Sequence, residues 1–398
     1  MGEYGNNNRM SYSLDSIPHF HLGPVSRCTV DAAIQVAYRH QKPLCLIASR
    51  RQIETATLGG GYVNNWSTED FAKYVRERDP KNLITLARDH GGPFQRPAEM
   101  GLSPQHAIRV AMVSFGADIR AGFKILHLDP EKAVTRDDLQ GFINHTIELM
   151  VQSDRLAKSK GIEDVTFEIG TDEGIGEDLC TDQWDRFLDQ VMTVSLRERT
   201  NQPVTFAVPM GTKTKEIRNV GEFVTCEDNH QVNAWEKRID ELHALANRYN
   251  LHLKLHNGDY MPQSAVRRFI ERGVTHINVA PEFGVVESQT WLRIMRENSM
   301  NAMADELEQM AIVSGKWDRW LLPHSRASNH EKALMAGHYI FAMPAAIELR
   351  AQAQRELAKR GVDLEKSLLM ALTQIIEHYF LPINNIEHEC ATTTSFAA

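Results

Sequence analysis

Eight short apolar segments, spaced by stretches with helical periodicity, constrain this chain more than any other feature. They are HFHLGP (19–24), PLCLIAS (43–49), NLITLARD (82–89), FKILHLD (123–129), DVTFEIG (164–170), PVTFAVP (203–209), LHLKLH (251–256) and THINVAP (275–281). Most are rich in Val, Ile, Leu, Phe or Thr and stop at a polar or glycine cluster, the pattern of a buried strand. Strands that alternate with helices must lie parallel, because each helix returns the chain to the same end of the sheet. Eight such units predict an α/β fold, a (β/α)8 TIM barrel, rather than an open doubly wound sheet. No GxGxxG follows the first strand, and GGGY (59–62) after the second reads as a loop.

The intervening segments support this. CTVDAAIQVAYRHQ (28–41) and SPQHAIRVAMVSFGA (103–117) place apolar residues at helical spacing behind a Thr or Ser cap. TRDDLQGFINHTIELMVQSDRLAKSKG (135–161) predicts a longer helix stopped at Gly161, and 234–250 and 265–273 continue the series. Residues 1–16 read as a flexible tail, 17–286 as the barrel and 287–398 as a C-terminal helical extension. The methionines of that extension fall at helical spacing and read as core filler.

The formal charge of −8 and the absence of a basic run argue against nucleic acid or an anionic membrane as partner. No apolar stretch approaches about 18 residues, so no membrane span is expected. Cys28, Cys45, Cys180, Cys226 and Cys390 form no CxxC pair or zinc-finger spacing. Such a sparse, odd set, behind an N-terminus without an apolar signal core, predicts a cytoplasmic protein with inert thiols.

Reactive groups of a barrel sit where its strands end, on the loops that follow. Strand 3 ends in LITLARDHGGP (83–93) and delivers Asp89 and His90. Strand 4 delivers His127 and Asp129, and strand 5 carries Glu168 followed by Asp172, Glu173, Glu177 and Asp178. Strand 7 ends in His256, Asn257, Gly258 and Asp259, and strand 8 contains Asn278. Imidazoles and carboxylates from separate strands converge only in the folded barrel, and such a set suits a divalent metal with positions open to substrate. Asp89 and His90 should face opposite sides of a regular strand, and the glycines after them are expected to relax that rule. HFH (19–21) raises an amidohydrolase-type alternative. That site would need a lysine at strand 4 and histidines at strands 5 and 6. Lys124 lies at the start of strand 4, and strands 5 and 6 have no histidine.

VDAAIQVA, IASRRQIETATLGGGY, DHGGP, AGFKILHLDP, FEIGTDE, LHNGDY and PHSR (323–326) together resemble the class II tagatose-bisphosphate aldolase group, specifically its large Z-type, non-catalytic subunit. The similarity runs from about residue 22 into the C-terminal extension, with DHxGP and AGFxxxHLD its most specific motifs. It implies a metal, zinc, with His90, Glu168 and His256 as ligands, and Asp89 as the residue that exchanges a proton with a substrate hydroxyl. Asn278 resembles the strand-8 asparagine that touches substrate. Glu173 or Asp172 would supply a second acid/base group, with Asp129 and Asp259 at the mouth. The segment 210–233 reads as a lid whose Lys213, Lys215 and Arg218 can meet an anionic group.

The chain departs from the metal aldolases in two places. After strand 6 it has VPMGTKTK (208–215), where they place a histidine, and after strand 7 it has Asp259 in the loop that would hold a phosphate. The Asp-His, FE…DE and LHxG elements also resemble barrel-type tagaturonate and ketose 4-epimerases. Aldol cleavage and C4 epimerisation share a first act: a base removes the C4 hydroxyl proton while a metal polarises the ketone, and the C3–C4 bond opens. The expected substrate is a ketose, ketose phosphate or related sugar acid. A homo-oligomer is expected, and the Z-type resemblance implies a further alternative, a non-catalytic subunit that stabilises a catalytic aldolase partner.

Overall fold

The computed structural model describes residues 17–225 and 229–384. The expected tail (1–16), Cys226 and Cys390 lie outside the described residues. Eight parallel strands close into a barrel: β1 (Phe20–Leu22), β2 (Leu44–Ser49), β3 (Ile84–Asp89), β4 (Ile125–Leu128), β5 (Thr166–Gly170), β6 (Pro203–Ala207), β7 (His252–Leu255) and β8 (Val274–Val279). Each pairs with the next, and β1 pairs with β8 through His21 opposite Asn278. Every strand lies within a residue of its expected segment or inside it, because short apolar runs bounded by turn residues leave little room to slide.

Eight helices follow the strands in turn: α1 (Arg27–His40), α2 (Thr68–Arg78), α3 (Pro104–Ala121), α4 (Leu139–Ser159), α5 (Thr181–Glu198), α6 (Asn229–Arg248), α7 (Gln263–Glu271) and α8 (Pro281–Glu297). Ser26 caps α1 and Ser103 caps α3 with Pro104 at its first position, as the sequence predicts. Helix α4 starts four residues later than expected, where Asp138 accepts from the Gly141 N–H.

The barrel with a C-terminal helical extension is the fold the sequence predicts. Helix α8 runs unbroken across residue 287 and leads into α9 (Asn301–Val313), α10 (Asn329–Ile340), α11 (Pro344–Ala358) and α12 (Leu364–Asn384). The extension breaks at two of these junctions for local reasons. Ser299 takes a left-handed conformation (φ 57°) between α8 and α9, and Pro344 forbids continuation of α10 into α11. Helix α12 packs between α1 and α8, and Tyr379 stacks on Phe20 of β1. No helix among the described residues is long and apolar enough to cross a membrane.

Inside the barrel, Ile17, Cys45, Ile47, Ala87 and Ile125 form a small apolar cluster separate from the large core between strands and helices. His19, His252 and His276 pack ring against ring, and His21 packs on His276. The Nε2 of His21 meets the Pro18 carbonyl at 3.0 Å, and His21 belongs to none of the metal-competent groups among the described residues. The HFH motif is therefore packing, not the start of an amidohydrolase-type site.

Candidate metal and acid/base site

The DHGG turn decides how the strand ends are brought together. Asp89 is the last residue of β3 and faces the barrel interior. Arg88 faces outward, where it grips both oxygens of Asp118 (2.6 and 2.8 Å) and the carbonyls of Ala48 and Ile53. His90 turns inward because its own backbone is left-handed (φ 42°), an uncommon state for a residue with a Cβ. The two glycines serve another purpose than the expected one. A Cβ on Gly91 would meet Phe115, Arg88 and the His127 carbonyl within 2.7 Å, and one on Gly92 would lie 1.7 Å from the Asp129 carbonyl. They let the turn lie directly on the end of β4, which brings His90 to Asp129. Arg50 holds the turn from behind by donating to the Gly92 carbonyl at 2.8 Å.

Three imidazoles, from His90, His127 and His256, form a triangle with ring centroids 5.3–5.4 Å apart. Nδ1 of His90 lies 2.7 Å from Oδ2 of Asp129. Nε2 of His256 lies 3.1 Å from Oε1 of Glu168, and its Nδ1 lies 3.2 Å from Oδ1 of Asp172. His127 donates through Nε2 to the Gly170 carbonyl (3.0 Å), so its Nδ1 is the bare nitrogen that accepts the His90 N–H at 3.2 Å. Asn278 donates to Oδ2 of Asp89 at 3.3 Å, while Oδ1 of Asp89 is buried without a hydrogen-bond partner. Asn257 donates to Oδ2 of Asp172 at 2.5 Å.

Charge is densely paired here. Burial alone would favour neutral His90, yet Asp89 and Asp129 raise its pKa to about 10. Burial works the same way on His256, and Asp172 overrides it to give about 9. Burial opposes charge on Asp89, but the charges of His90, His256 and Lys254 hold its carboxyl well below the usual range. Asp172 is drawn down to about 2 against burial, chiefly by His256. Glu131, behind Asp129, moves the other way: burial and the Asp129 charge push it up to about 7.

Three sets of side chains among the described residues bring ligand atoms within 4.8 Å of one another, close enough to share a metal ion: Asp89, His127, Glu168 and His256; His90, His127 and Asp129; and His90, Asp172 and His256. His90, Glu168 and His256, the triad expected from sequence, do not fall in one set. His256 belongs with either of the other two, but His90 and Glu168 stand on different sides of it. Glu168 has another cation already, because the fully buried Lys254 donates to both its oxygens at 2.7 Å.

The remaining expected residues are distributed around the mouth. Glu173 is exposed at the rim, 4.0 Å from Lys132. Asp259 is buried, and its Oδ1 accepts from the Ala280 and Glu282 N–H groups that open α8. A carboxylate of the chain thus occupies the helix start where a bound anion would sit. Burial and the neighbouring Glu282 raise Asp259 to about 8. Lys213 points to Glu177 at 3.2 Å. The segment expected as a lid is fastened to the strand-7 loop: Thr212 donates to the His256 carbonyl, and Asn219 donates to the carbonyls of Asn257 and Asp259.

The sequence motifs assign no role to Lys254 or Glu131. The signal for Lys254 was its alternation in HLKLH, where His252, Lys254 and His256 share the inward face. The same period of two puts His127 and Asp129 together in HLD. Glu131 lies outside any strand pattern and had no comparable signal.

The chain matches no protein-family model, and no curated protein matches its sequence. Its structure is similar to that of a probable tagatose 6 phosphate kinase from Sinorhizobium meliloti 1021, at 16% identity and a TM-score of 0.69, over 92% of this chain and 100% of that one. It is also similar to the glycerol-complexed fructuronate-tagaturonate epimerase UxaE from Cohnella laeviribosi, at 14% identity and a TM-score of 0.54, over 92% of this chain and 81% of that one. Both names accord with the groups that the sequence motifs resemble. At such identities what is shared is the architecture, and by that architecture the chain is a TIM barrel of the kind found in these two proteins.

Proposed function

We propose that this chain is a metal-dependent carbohydrate enzyme of the class II aldolase type, acting on a ketose, ketose phosphate or related sugar acid, with His90, His256 and Asp172 as the metal-holding residues. One observation carries the reading: each of the two histidines is held at one ring nitrogen by its own buried carboxylate, while ligand atoms of His90, His256 and Asp172 lie within 4.8 Å of one another. Asp129 takes Nδ1 of His90 and Glu168 takes Nε2 of His256. Histidines that bind metal are fixed in this way, since the outer carboxylate sets the tautomer and the ring orientation. Glu168, expected as a ligand, is assigned this outer role because Lys254 occupies both its oxygens.

A divalent ion, zinc by the nitrogen-and-oxygen character of the donors, would supply a Lewis acid for a substrate carbonyl. The chain's own groups do the rest. Asp89 is held ionised, and its unpartnered Oδ1 is free to accept a proton from a substrate hydroxyl. Asn278 keeps Asp89 turned into the barrel. Glu131 holds a proton near neutrality, and with Glu173 at the rim it provides an acid to return a proton. Loss of the hydroxyl proton opens the neighbouring carbon–carbon bond. Release of the aldehyde makes the reaction an aldol cleavage, and rotation with reclosure makes it a 4-epimerisation.

Metal-loaded protein incubated with ketoses, uronates and ketose phosphates, followed by NMR, tests this. A cleavage product supports the aldolase reading, and a C4 epimer supports the epimerase similarity in its place. Turnover of none by protein that has bound metal overturns the catalytic reading and favours a non-catalytic subunit.

A further inference from the structure

The two sets that contain His256 lie on opposite sides of its ring. Asp172, grouped with His90, is on the Nδ1 side; Glu168, grouped with His127 and Asp89, is on the Nε2 side. The Nε2 side is a convergent donor set in its own right. The bare Nδ1 of His127 lies 3.5 Å from Oε1 of Glu168 and 3.7 Å from Oδ1 of Asp89, and that Asp89 oxygen is buried with no hydrogen-bond partner. Two carboxylates and an imidazole nitrogen, all buried, would suit a small divalent cation.

Yet the Glu168 carboxylate is already neutralised from the strand beneath. Lys254 precedes His256 by two residues and shares its inward face. Its ammonium reaches both Glu168 oxygens at 2.7 Å, and neither side chain is exposed. A divalent ion among Asp89, His127 and Glu168 would stand close to that ammonium, and like charges so near in a buried site repel strongly.

We propose that the Lys254 ammonium takes the place of a second divalent cation: it satisfies Glu168 permanently, keeps the Asp89–His127–Glu168 set free of metal, and limits the barrel mouth to one metal ion. This rests on the metal centre at His90, His256 and Asp172 proposed above. Lys254 is then a positioning residue that touches no substrate. It keeps Glu168 on Nε2 of His256, and it leaves Asp89 free as a proton acceptor when it would otherwise be a ligand.

Calorimetric titration of the full, metal-free chain with Co2+ tests it, with stoichiometry as the readout. The wild type is expected to bind one equivalent. Lys254→Met removes the ammonium and should bind two, with a second set of visible absorption bands from the new cobalt centre. Lys254→Arg keeps the charge and should bind one. The double variant Glu168→Gln/Lys254→Met removes the new ligand as well and should return to one equivalent, bound more weakly because Glu168 also fixes His256, whereas a general loosening of the barrel would not remove the second site selectively. If Lys254→Met is recovered unfolded, Lys254→Gln puts the same question with an uncharged polar chain of similar length. One equivalent in the wild type and in both neutral variants overturns the role of Lys254 alone. No binding by the wild type overturns the proposed metal centre itself.

Discussion

Nδ1 of His90 lies 2.7 Å from Oδ2 of Asp129, and the contact exists only because His90 leaves the strand with a left-handed backbone. Asp129 is 1% exposed, and its other oxygen accepts the Glu131 N–H at 3.3 Å, so the carboxylate is fixed against the ring. Asp129→Asn should leave the fold intact and let the imidazole choose either tautomer. Metal affinity is expected to fall about 10–100-fold. Competition with a chromophoric chelator measures it, and an unchanged affinity would remove His90 from the ligand set.

Metal uptake should also depend on pH. In the metal-free chain His90 and His256 titrate at about 10 and about 9, so both carry a proton at neutrality. A ligating nitrogen must be bare, so binding near pH 7 releases protons and apparent affinity climbs as pH rises toward those values. Heats of binding in two buffers of different ionisation enthalpy count the protons. The same shifts act on stability without metal. A folded-state pKa raised above the unfolded imidazole value stabilises fully below about 6.5, and that contribution is lost as pH rises through about 9 to 10.

Asp259 gives a linkage of different origin. Its folded pKa, about 8, is raised by burial and then by Glu282. The protonated form is favoured in the folded state, so stability is greatest below the unfolded carboxyl value of about 3.9 and falls as pH rises to about 8. Asp259→Asn keeps an oxygen to accept from Ala280 and Glu282 but cannot ionise. The melting temperature of the variant should decline less than that of the wild type between those two limits. Parallel curves would refute this account.

Gly92→Ala should be among the most damaging single substitutions in the chain. Its methyl would stand 1.7 Å from the Asp129 carbonyl, which is backbone and cannot yield alone. Destabilisation of roughly 3 kcal/mol or more is expected, together with loss of metal binding as Asp129 shifts from His90. Gly101→Ala is the control. It has a positive φ of 91° but nothing within 4 Å, so only the backbone preference is lost, about 1 kcal/mol. Denaturant unfolding of the two variants separates crowding from conformation.

Much of this architecture is legible in the chain itself. The strands could be bounded because apolar runs such as LITLARD and DVTFEIG end abruptly, and the strand-end rule then selected Asp89, His90, Glu168 and His256. What could not be read was which groups would pair. Glu168 and Lys254 are 86 residues apart, and neither strand alone signals that one buried charge answers the other. Asp259 carried a similar ambiguity, since whether a loop carboxylate meets ligand or caps α8 depends on where the helix begins. The DHGG glycines are expected to relax the alternation of the strand, but their reason lies in β4, which no local pattern could reveal.

Helix α12 gives the molecule an order of assembly. It lies against α1 and β1, where Thr373 meets Gln35 across 338 residues of sequence and Tyr379 covers Phe20. Tyr379 also donates to Glu282 at 2.5 Å and accepts from the Met261 N–H. On the ribosome, β1 and α1 emerge well before α12, and the outer face of that βα unit must wait for its cover while the 338 residues that separate Gln35 from Thr373 are made. The barrel seam, where β1 meets β8, is covered only once α12 has been made. A nascent chain stalled before α12 would show an apolar strip beside an otherwise completed barrel, which is the kind of surface a chaperone binds.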